Sequence, residues 1–326
     1  MGPSRHLVRF IVSDRRTYAL KEEPLAVATS EFDVLRHLER LGLPAVTAVG
    51  LAAAPERDSA ILVTEFLSYS IQYRRLLMRF PSGPGPYRDR LLDAMAWLLV
   101  DLHRTGVFWG DCSLANTLFR RDGDKIQAFL VDAETSEIHP ALSDGQRGYD
   151  LDILVENVGF GLADLGAMQE RADAFDDAVE AAETVRLRYA QVWDEVTMQP
   201  EVSAQDRHAV RARVRRLNDL GFAVDEISLE PSAGGDGTVR LTVAVANRRF
   251  HARELERLTG LHALEGQARL LLNDLREYRA WLESDIGRPV PEAEGADRWI
   301  HEVLEPSLAA LVPAIGLARD PLQAYC

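Results

Sequence analysis

Cysteine is nearly absent from this 326-residue chain: Cys112 and Cys326 are the two, far apart, and no CxxC pair occurs. That excludes a zinc ribbon and a disulfide framework, and points to a reducing compartment. Long apolar runs are also missing. No stretch of eighteen uncharged apolar residues exists, and the first residues, "MGPSRHLVRFIV", lack a signal-type segment. A membrane span is therefore not expected, and the location expected is cytoplasmic. A surplus of positive charge is lacking too: 37 Lys+Arg against 51 Asp+Glu give a formal net charge of −14. Bulk attraction to nucleic acid or to an anionic membrane is not expected from such a balance. No internal repeat, low-complexity tract or G-x-G-x-x-G loop is found.

What is present is ordinary globular material, 47% hydrophobic and 27% charged, enough for two modest domains or one large domain with an appendage. Strand-like alternation comes first. "HLVRFIVS", a polar "DRR" turn and "TYALKE" read as a hairpin, with Lys21 ending its second strand. "SEFDVLRHLERLGLP" reads as a helix with Ser30 as N-cap, Glu31 in its first turn, and Gly42 and Pro44 as its stop. "AVTAVGLAAA" and "SAILVTEFL" follow as strands. Beyond residue 71 helices dominate, chiefly "YRDRLLDAMAWLLVDLHRTG" and the acidic region 149–197. "NTLFRR", "DGD" and "KIQAFLVD" form a short hairpin between them. After Ser203 come a basic helix with Val210, Val214 and Leu217 buried, a second hairpin around "PSAGGDG", and two or three closing helices. The order suits an α+β protein: a strand-rich lobe over 1–70, a helical lobe over 71–200, and a C-terminal helix–hairpin–helix module over 201–326.

The chemistry concentrates in "GVFWGDCSLANTLFRRDGDKIQAFLVDAETSE", residues 106–137. Asp111, Asn116 and Asp132 each stand beside apolar sequence. The D-x-x-x-x-N spacing, followed across a hairpin by a strand-terminal Asp, gathers three oxygen-bearing side chains at one end of that hairpin. Phosphoryl transfer from a nucleotide needs such parts: hard oxygen ligands for Mg²⁺, a carboxylate beside the attacking hydroxyl, and a cation on the phosphates fixed by its own carboxylate. Lys21 and Glu31 stand in workable chain order for the last two roles. Each of these residues alone reads as a turn former or a surface charge; only the set is specific.

The set resembles protein-kinase-like phosphotransferases, with their H-R-D-x-x-x-x-N loop and D-F-G segment. "WGDCSLAN" looks more like the H-G-D-x-x-x-x-N form of small-molecule and lipopolysaccharide (Kdo/WaaP-type) kinases. "SRHLVRF", "FWGDCSLANTLFRRD", "LVDAETSE", "LSDGQRGYDL" and "RRLNDLGF" resemble the uncharacterised actinobacterial family domain of unknown function 4032, through most of the chain. The resemblance implies a two-lobed protein-kinase-like fold with the C-terminal module added, and an ATP- and Mg²⁺-dependent transfer to a hydroxyl. It implies Asp111 as catalytic base, Asn116 and Asp132 as Mg²⁺ ligands, and Lys21 with partner Glu31 on the phosphates. Glu65, Phe66 and Leu67, in "VTEFL", become the hinge that reads adenine through its backbone, and Asp150 or Asp152 the start of a helix behind the catalytic loop.

Four departures stand out. Trp109 occupies the usual His position, Gly110 replaces the protein-kinase Arg, "DAE" replaces D-F-G, and no A-P-E segment follows. Without a glycine-rich loop, Gly2 and Ser4 are all that remain to cover phosphates, from a truncated start or a minimal clamp. The expected acceptor is a small molecule, sugar or glycolipid; the alternative is a pseudokinase acting as a nucleotide-binding scaffold or regulator. His103 and Cys112 read as structural, a helix-closing residue and an inert buried thiol. Arg207, Arg211 and Arg215, flanked by Arg213 and Arg216, read as a solvated, salt-bridged face rather than an anion dock.

Overall fold

The computed structural model describes residues 8–79, 83–203, 205–231, 238–245, 247–315 and 320–326. Gly2 and Ser4, the start of "PSGPGP" and most of "PSAGGDG" lie outside the described residues. The chain divides into two compact units. The first comprises residues 1–120 and 126–193, the second residues 121–125 and 194–326.

In the first unit β1 (Val8–Ser13) and β2 (Arg16–Pro24) are joined by Asp14 and Arg15, at φ 49° and 65°. Two left-handed residues are what a two-residue hairpin turn requires. With β3 (Ala48–Ala54) and β4 (Ser59–Glu65) they form an antiparallel sheet of order β1-β2-β4-β3. Lys21 does not end its strand; β2 runs on to Pro24, which cannot donate to the ladder and so stops it.

Helix α1 (Leu25–Leu41) starts directly after that proline, five residues ahead of Ser30. Ser30 is therefore not the N-cap, and Glu31 lies in the second turn. The "LAVAT" segment extends the apolar stripe backwards, so burial places the start where a local capping signal does not. Ala28, Glu31, Leu35 and Leu38 form one buried stripe, with Glu31 in an apolar slot. Gly42 at φ 66° closes the helix, with Leu43 N–H donating to Leu38 O at 2.9 Å.

The rest of this unit is mainly helical: α2 (Tyr73–Arg79), α3 (Pro86–Arg104), α4 (Asp144–Met168) and α5 (Ala174–Thr197), whose last residues fall in the second unit. Two short ribbons sit among them. One pairs β5 (Val107–Phe108) with β8 (Glu137–Ile138); the other pairs β6 (Thr117–Asp122) with β7 (Lys125–Leu130). The segment after α1 is stitched to the end of β7: Leu130 N–H donates to Pro44 O and Val46 N–H to Leu130 O, both at 3.0 Å. One hydrophobic core runs from Leu35 and Leu62 through Met95 and Trp109 to Leu154 and Val185.

The second unit holds a sheet of order β10-β11-β9, from β9 (Glu201–Ser203), β10 (Val224–Pro231) and β11 (Thr238–Val245). The third strand, β9, carries no strand signal of its own. Helix α6 (Arg207–Asp219) buries Arg213 beside Leu217, because Arg213 reaches Glu195 Oε1 at 2.7 Å; Val210 and Val214 are half-buried. The solvated face expected for these arginines thus holds for Arg207, Arg211 and Arg215 but not for Arg213. Five helices close the chain rather than two or three: α7 (Phe250–Thr259), α8 (Glu265–Ile286), α9 (Glu292–Trp299), α10 (Glu305–Ile315) and α11 (Pro321–Tyr325). Leu255, Leu271, Leu272 and Trp299 are the centre of their core.

Residues 121–125, the tip of the β6–β7 hairpin, complete this unit. Asp122 Oδ1 accepts from Gln267 N–H at 2.8 Å, capping the first turn of α8, whose preceding residue Leu264 has no side-chain acceptor. Gly123 exchanges two hydrogen bonds with the Gln323 amide, at 2.8 and 3.0 Å. Gly266 permits this approach, since a Cβ there would meet Asp122 O at 2.3 Å. Among the described residues no helix is long and apolar enough to cross a membrane.

Candidate functional site

Lys21 lies on the core side of β2, opposite Leu62, with its side chain 13% exposed. Four carboxylates surround its ammonium: Glu23 Oε1 at 2.5 Å, Asp132 Oδ1 at 3.0 Å, Glu31 Oε2 at 3.1 Å and Glu134 Oε2 at 3.5 Å. Three segments meet there: strand β2, helix α1 and the "DAE" segment that leaves β7. Burial draws the Lys21 pKa down, but Glu31, Asp132 and Glu23 outweigh it and hold the ammonium charged well above its ordinary range.

Glu31 is the bridge between these segments. Its Oε2 takes Lys21 and its Oε1 accepts from Ala133 N–H at 3.0 Å, which satisfies both oxygens of a buried carboxylate. Burial, with Asp132 and Glu23 close by, pushes the Glu31 carboxyl up to about 8 against the pull of Lys21. One ammonium among this many carboxylates leaves room for an extra proton, and the buried Glu31 is one place for it.

Asp132 stands two residues past the end of β7 instead of closing the strand, since Ala133 and Glu134 must turn there: Glu134 N–H donates back to Asp132 Oδ1 at 3.2 Å. Asn116 enters β6 next to it in space, for Val131 N–H donates to Asn116 O at 3.1 Å. The Asn116 amide donates to Asp111 Oδ2 at 3.0 Å and to Asp111 O at 3.2 Å. Among the described residues that leaves Asn116 Oδ1 and one Asp111 side-chain oxygen without a hydrogen-bond partner. Asp111 is exposed.

The loop carrying Asp111 is held from beneath. Asp150, in the second turn of α4 and fully buried, accepts from Trp109 N–H at 2.7 Å, Gly110 N–H at 2.8 Å and His103 Nε2 at 3.1 Å. Of the two aspartates considered for this place, Asp150 takes it; Asp152 pairs with Arg186 at the surface. Burial lowers the His103 pKa, so the ring is neutral, with Nε2–H assigned toward Asp150 and Nδ1 accepting from Tyr189 Oη at 2.7 Å. From the other side Thr135 Oγ1 and Ser136 Oγ donate to Trp109 O at 2.8 and 3.2 Å. Gly110 sits at φ +82°, and a Cβ there would meet Thr135 O at 2.7 Å. The glycine of "WGD" is thus a steric requirement of the loop. Cys112 is buried, and burial pushes its thiol well up, as an inert residue would have it.

The remaining segment, Glu65–Leu67, begins with the last residue of β4. Phe66 N–H donates to Thr17 O at 2.9 Å and Leu67 O accepts from Ser70 Oγ at 2.7 Å, so part of its backbone is already engaged. Two carboxylates, Glu23 and Glu134, were not singled out from sequence. "KEEP" and "DAET" look like solvated termini of strands, and nothing local marks a buried glutamate. One signal was available: of 37 basic residues only Lys21 and Lys125 are lysines. A chain that uses arginine almost everywhere keeps a lysine where a compact point charge is needed.

Residues 11–170 match the lipopolysaccharide kinase (Kdo/WaaP) family. Apart from residues 121–125, that match lies within the first unit. Residues 191–326 match the domain of unknown function DUF4032, a narrower span than the resemblance suggested. The "FWGDCSLAN" and "LVDAETSE" segments fall within the Kdo/WaaP match. The lipopolysaccharide core heptose(I) kinase WaaP of Pseudomonas aeruginosa is 26% identical over 152 residues, 44% of this chain. The match spans 55% of that relative's length. Among solved structures, WaaP in complex with acyl carrier protein aligns at TM-score 0.40 and 22% identity, over 57% of this chain and 80% of that one. The yeast RNA polymerase II CTD kinase CTDK-1 complex aligns at TM-score 0.29 and 13% identity, over 43% and 48%. The antiparallel sheet, the helix carrying Glu31 and the helical remainder give the first unit the strand-rich and helical lobes of a protein-kinase-like fold.

Proposed function

We propose that this protein is an ATP-dependent phosphotransferase whose acceptor is a hydroxyl on a sugar, glycolipid or small molecule. The observation that carries the reading is the position of Lys21 Nζ, 3.1 Å from Glu31 and 3.0 Å from Asp132, on segments 111 residues apart in sequence. Glu31 aims the ammonium, and the ammonium meets phosphate oxygens once Asp132 turns from it. Asp111 takes the proton of the acceptor hydroxyl as the hydroxyl oxygen bonds to the γ-phosphorus of ATP and the bond from that phosphorus to the β-phosphate oxygen breaks, releasing ADP. Asn116 keeps Asp111 oriented through the 3.0 Å amide contact. The exposed loop admits an acceptor of some size, and the likeness to a heptose kinase favours a glycan hydroxyl.

The donor set fits Mg²⁺. Asn116 Oδ1 and the Asp132 carboxylate are hard oxygen ligands, and among the described residues no group of three or more His, Cys, Asp or Glu is arranged to hold a metal. Mg²⁺ is commonly bound in this way, by one or two carboxylates together with substrate phosphates. When bound, it neutralises charge on the transferred phosphoryl group. Asn116 and Asp132 hold it, and Lys21 shares the phosphate charge. The hinge Glu65–Leu67 contributes what backbone groups Thr17 and Ser70 leave open.

Thermal unfolding with ATP, with and without Mg²⁺, tests this on wild type and Asp132→Ala. A ligand specific to the folded state at about 100 times its Kd stabilises by about 2.7 kcal/mol. The midpoint rises with Mg²⁺·ATP in wild type, and the Mg²⁺-dependent part is lost in Asp132→Ala. The engaged Phe66 N–H and the crowded Lys21 favour a second reading, a nucleotide-binding scaffold without turnover. An equal rise without Mg²⁺ selects it.

A further inference from the structure

Glu23 has no evident structural purpose. It follows Lys21 by two residues on β2 and therefore shares its face. That face is buried: the cross-strand partner of Glu23 is Ala60, and that of Lys21 is Leu62, each 1% exposed. The Glu23 side chain is fully buried. Its Oε1 makes an ion-pair contact with Lys21 Nζ at 2.5 Å, and Oε2 has no hydrogen-bond partner among the described residues. An apolar side chain at this position would pack against the same neighbours without desolvating a charge. Among the described residues its one ion-pair partner is the Lys21 ammonium.

The two glutamates hold Lys21 from different elements. Glu31 belongs to α1 and moves whenever that helix moves. Glu23 belongs to the strand that carries Lys21, so the distance between them is set by a single dipeptide step. We propose that Glu23 is a positioning residue that keeps the Lys21 ammonium in place independently of helix α1. The lysine then stays aimed when Glu31 is withdrawn or protonated, and this unit needs no helix movement to assemble its cation. The role rests on the reading of Lys21 as the phosphate-binding lysine.

The lysine content makes the test direct, because Lys125, exposed at the β6–β7 hairpin tip, is the one other lysine. Wild type, Glu23→Gln, Glu31→Gln and the double variant are each treated briefly with a water-soluble amine acylating reagent at one pH. Peptide mass spectrometry then gives the Lys21/Lys125 labelling ratio. Each single change is expected to raise the ratio a few-fold at most. The double change raises it by on the order of tenfold beyond the product of the two, as expected for groups sharing one partner. Glu23→Leu separates the role from packing: it keeps the melting midpoint, yet with Glu31→Gln it releases Lys21 as fully as the glutamine double variant.

The proposal is overturned if Glu31→Gln alone exposes Lys21 as much as the double variant does. It is equally overturned if the labelling effects of the two changes simply multiply. The Mg²⁺·ATP midpoint shift is recorded on the same four proteins. A wild type that does not respond to nucleotide removes the phosphate-binding reading, while the labelling ratios still decide the clamp.

Discussion

At the scale of single residues, Glu31 is where pH dependence should appear. Its carboxyl titrates near 8 in the folded protein against an ordinary value near 4.5. A carboxyl raised by folding adds stability that is complete below the unfolded value and is lost as pH climbs through the folded one. Wild-type melting midpoints should therefore decline between about pH 5 and about pH 9, and Glu31→Gln should flatten that decline. A parallel decline in both proteins would place the extra proton elsewhere. Lys21, Glu31 and Asp132 were all visible in the sequence as a set, and the fold brings both carboxylates within hydrogen-bond reach of the Lys21 ammonium. The other half of the anionic shell was not visible. Glu23 and Glu134 are ordinary polar letters at strand ends, and only the burial of the β2 face turns the first of them into a partner of Lys21.

Elements were legible where periodicity was long and illegible where tertiary pairing decides. Helix α3 and the β6–β7 hairpin follow from their patterns. The start of α1 does not, because "LAVAT" joins it only by packing. Strand β9 is three residues long and exists through its pairing with β11. Gly110 shows the element scale at work, since its left-handed backbone lets the "WGD" loop pass Thr135. Gly110→Ala should cost about 1–3 kcal/mol in denaturant unfolding. Gly148→Ala is the contrast: this helical glycine of α4 has open space at its Cβ, and the change should stabilise by about 0.5–1 kcal/mol. Equal effects at the two positions would remove the steric account of "WGD".

For the whole molecule, the boundary between units does not coincide with one cut in the chain. The second unit includes residues 121–125, so a fragment made from residues 194–326 lacks Asp122 and Gly123. The Gln267 N–H in the first turn of α8 then loses Asp122, and the Gln323 amide loses both hydrogen bonds to Gly123. Asp122→Ala in the full chain should lower stability by about 1–2 kcal/mol, the usual cost of a lost helix cap, read from melting followed by circular dichroism. The isolated fragment should melt lower still. A fragment as stable as the intact chain would show that the hairpin tip is dispensable. This interleaving was not legible beforehand, because "DGD" is a routine turn and its use as a cap depends on a helix more than 140 residues away.

The near-absence of lysine has a practical side as well. Amine coupling to a sensor surface through side chains has one exposed site to use, Lys125, since Lys21 is enclosed by carboxylates. Molecules anchored by that amine share one orientation, and any conjugation system that marks proteins on lysine side chains meets the same single handle.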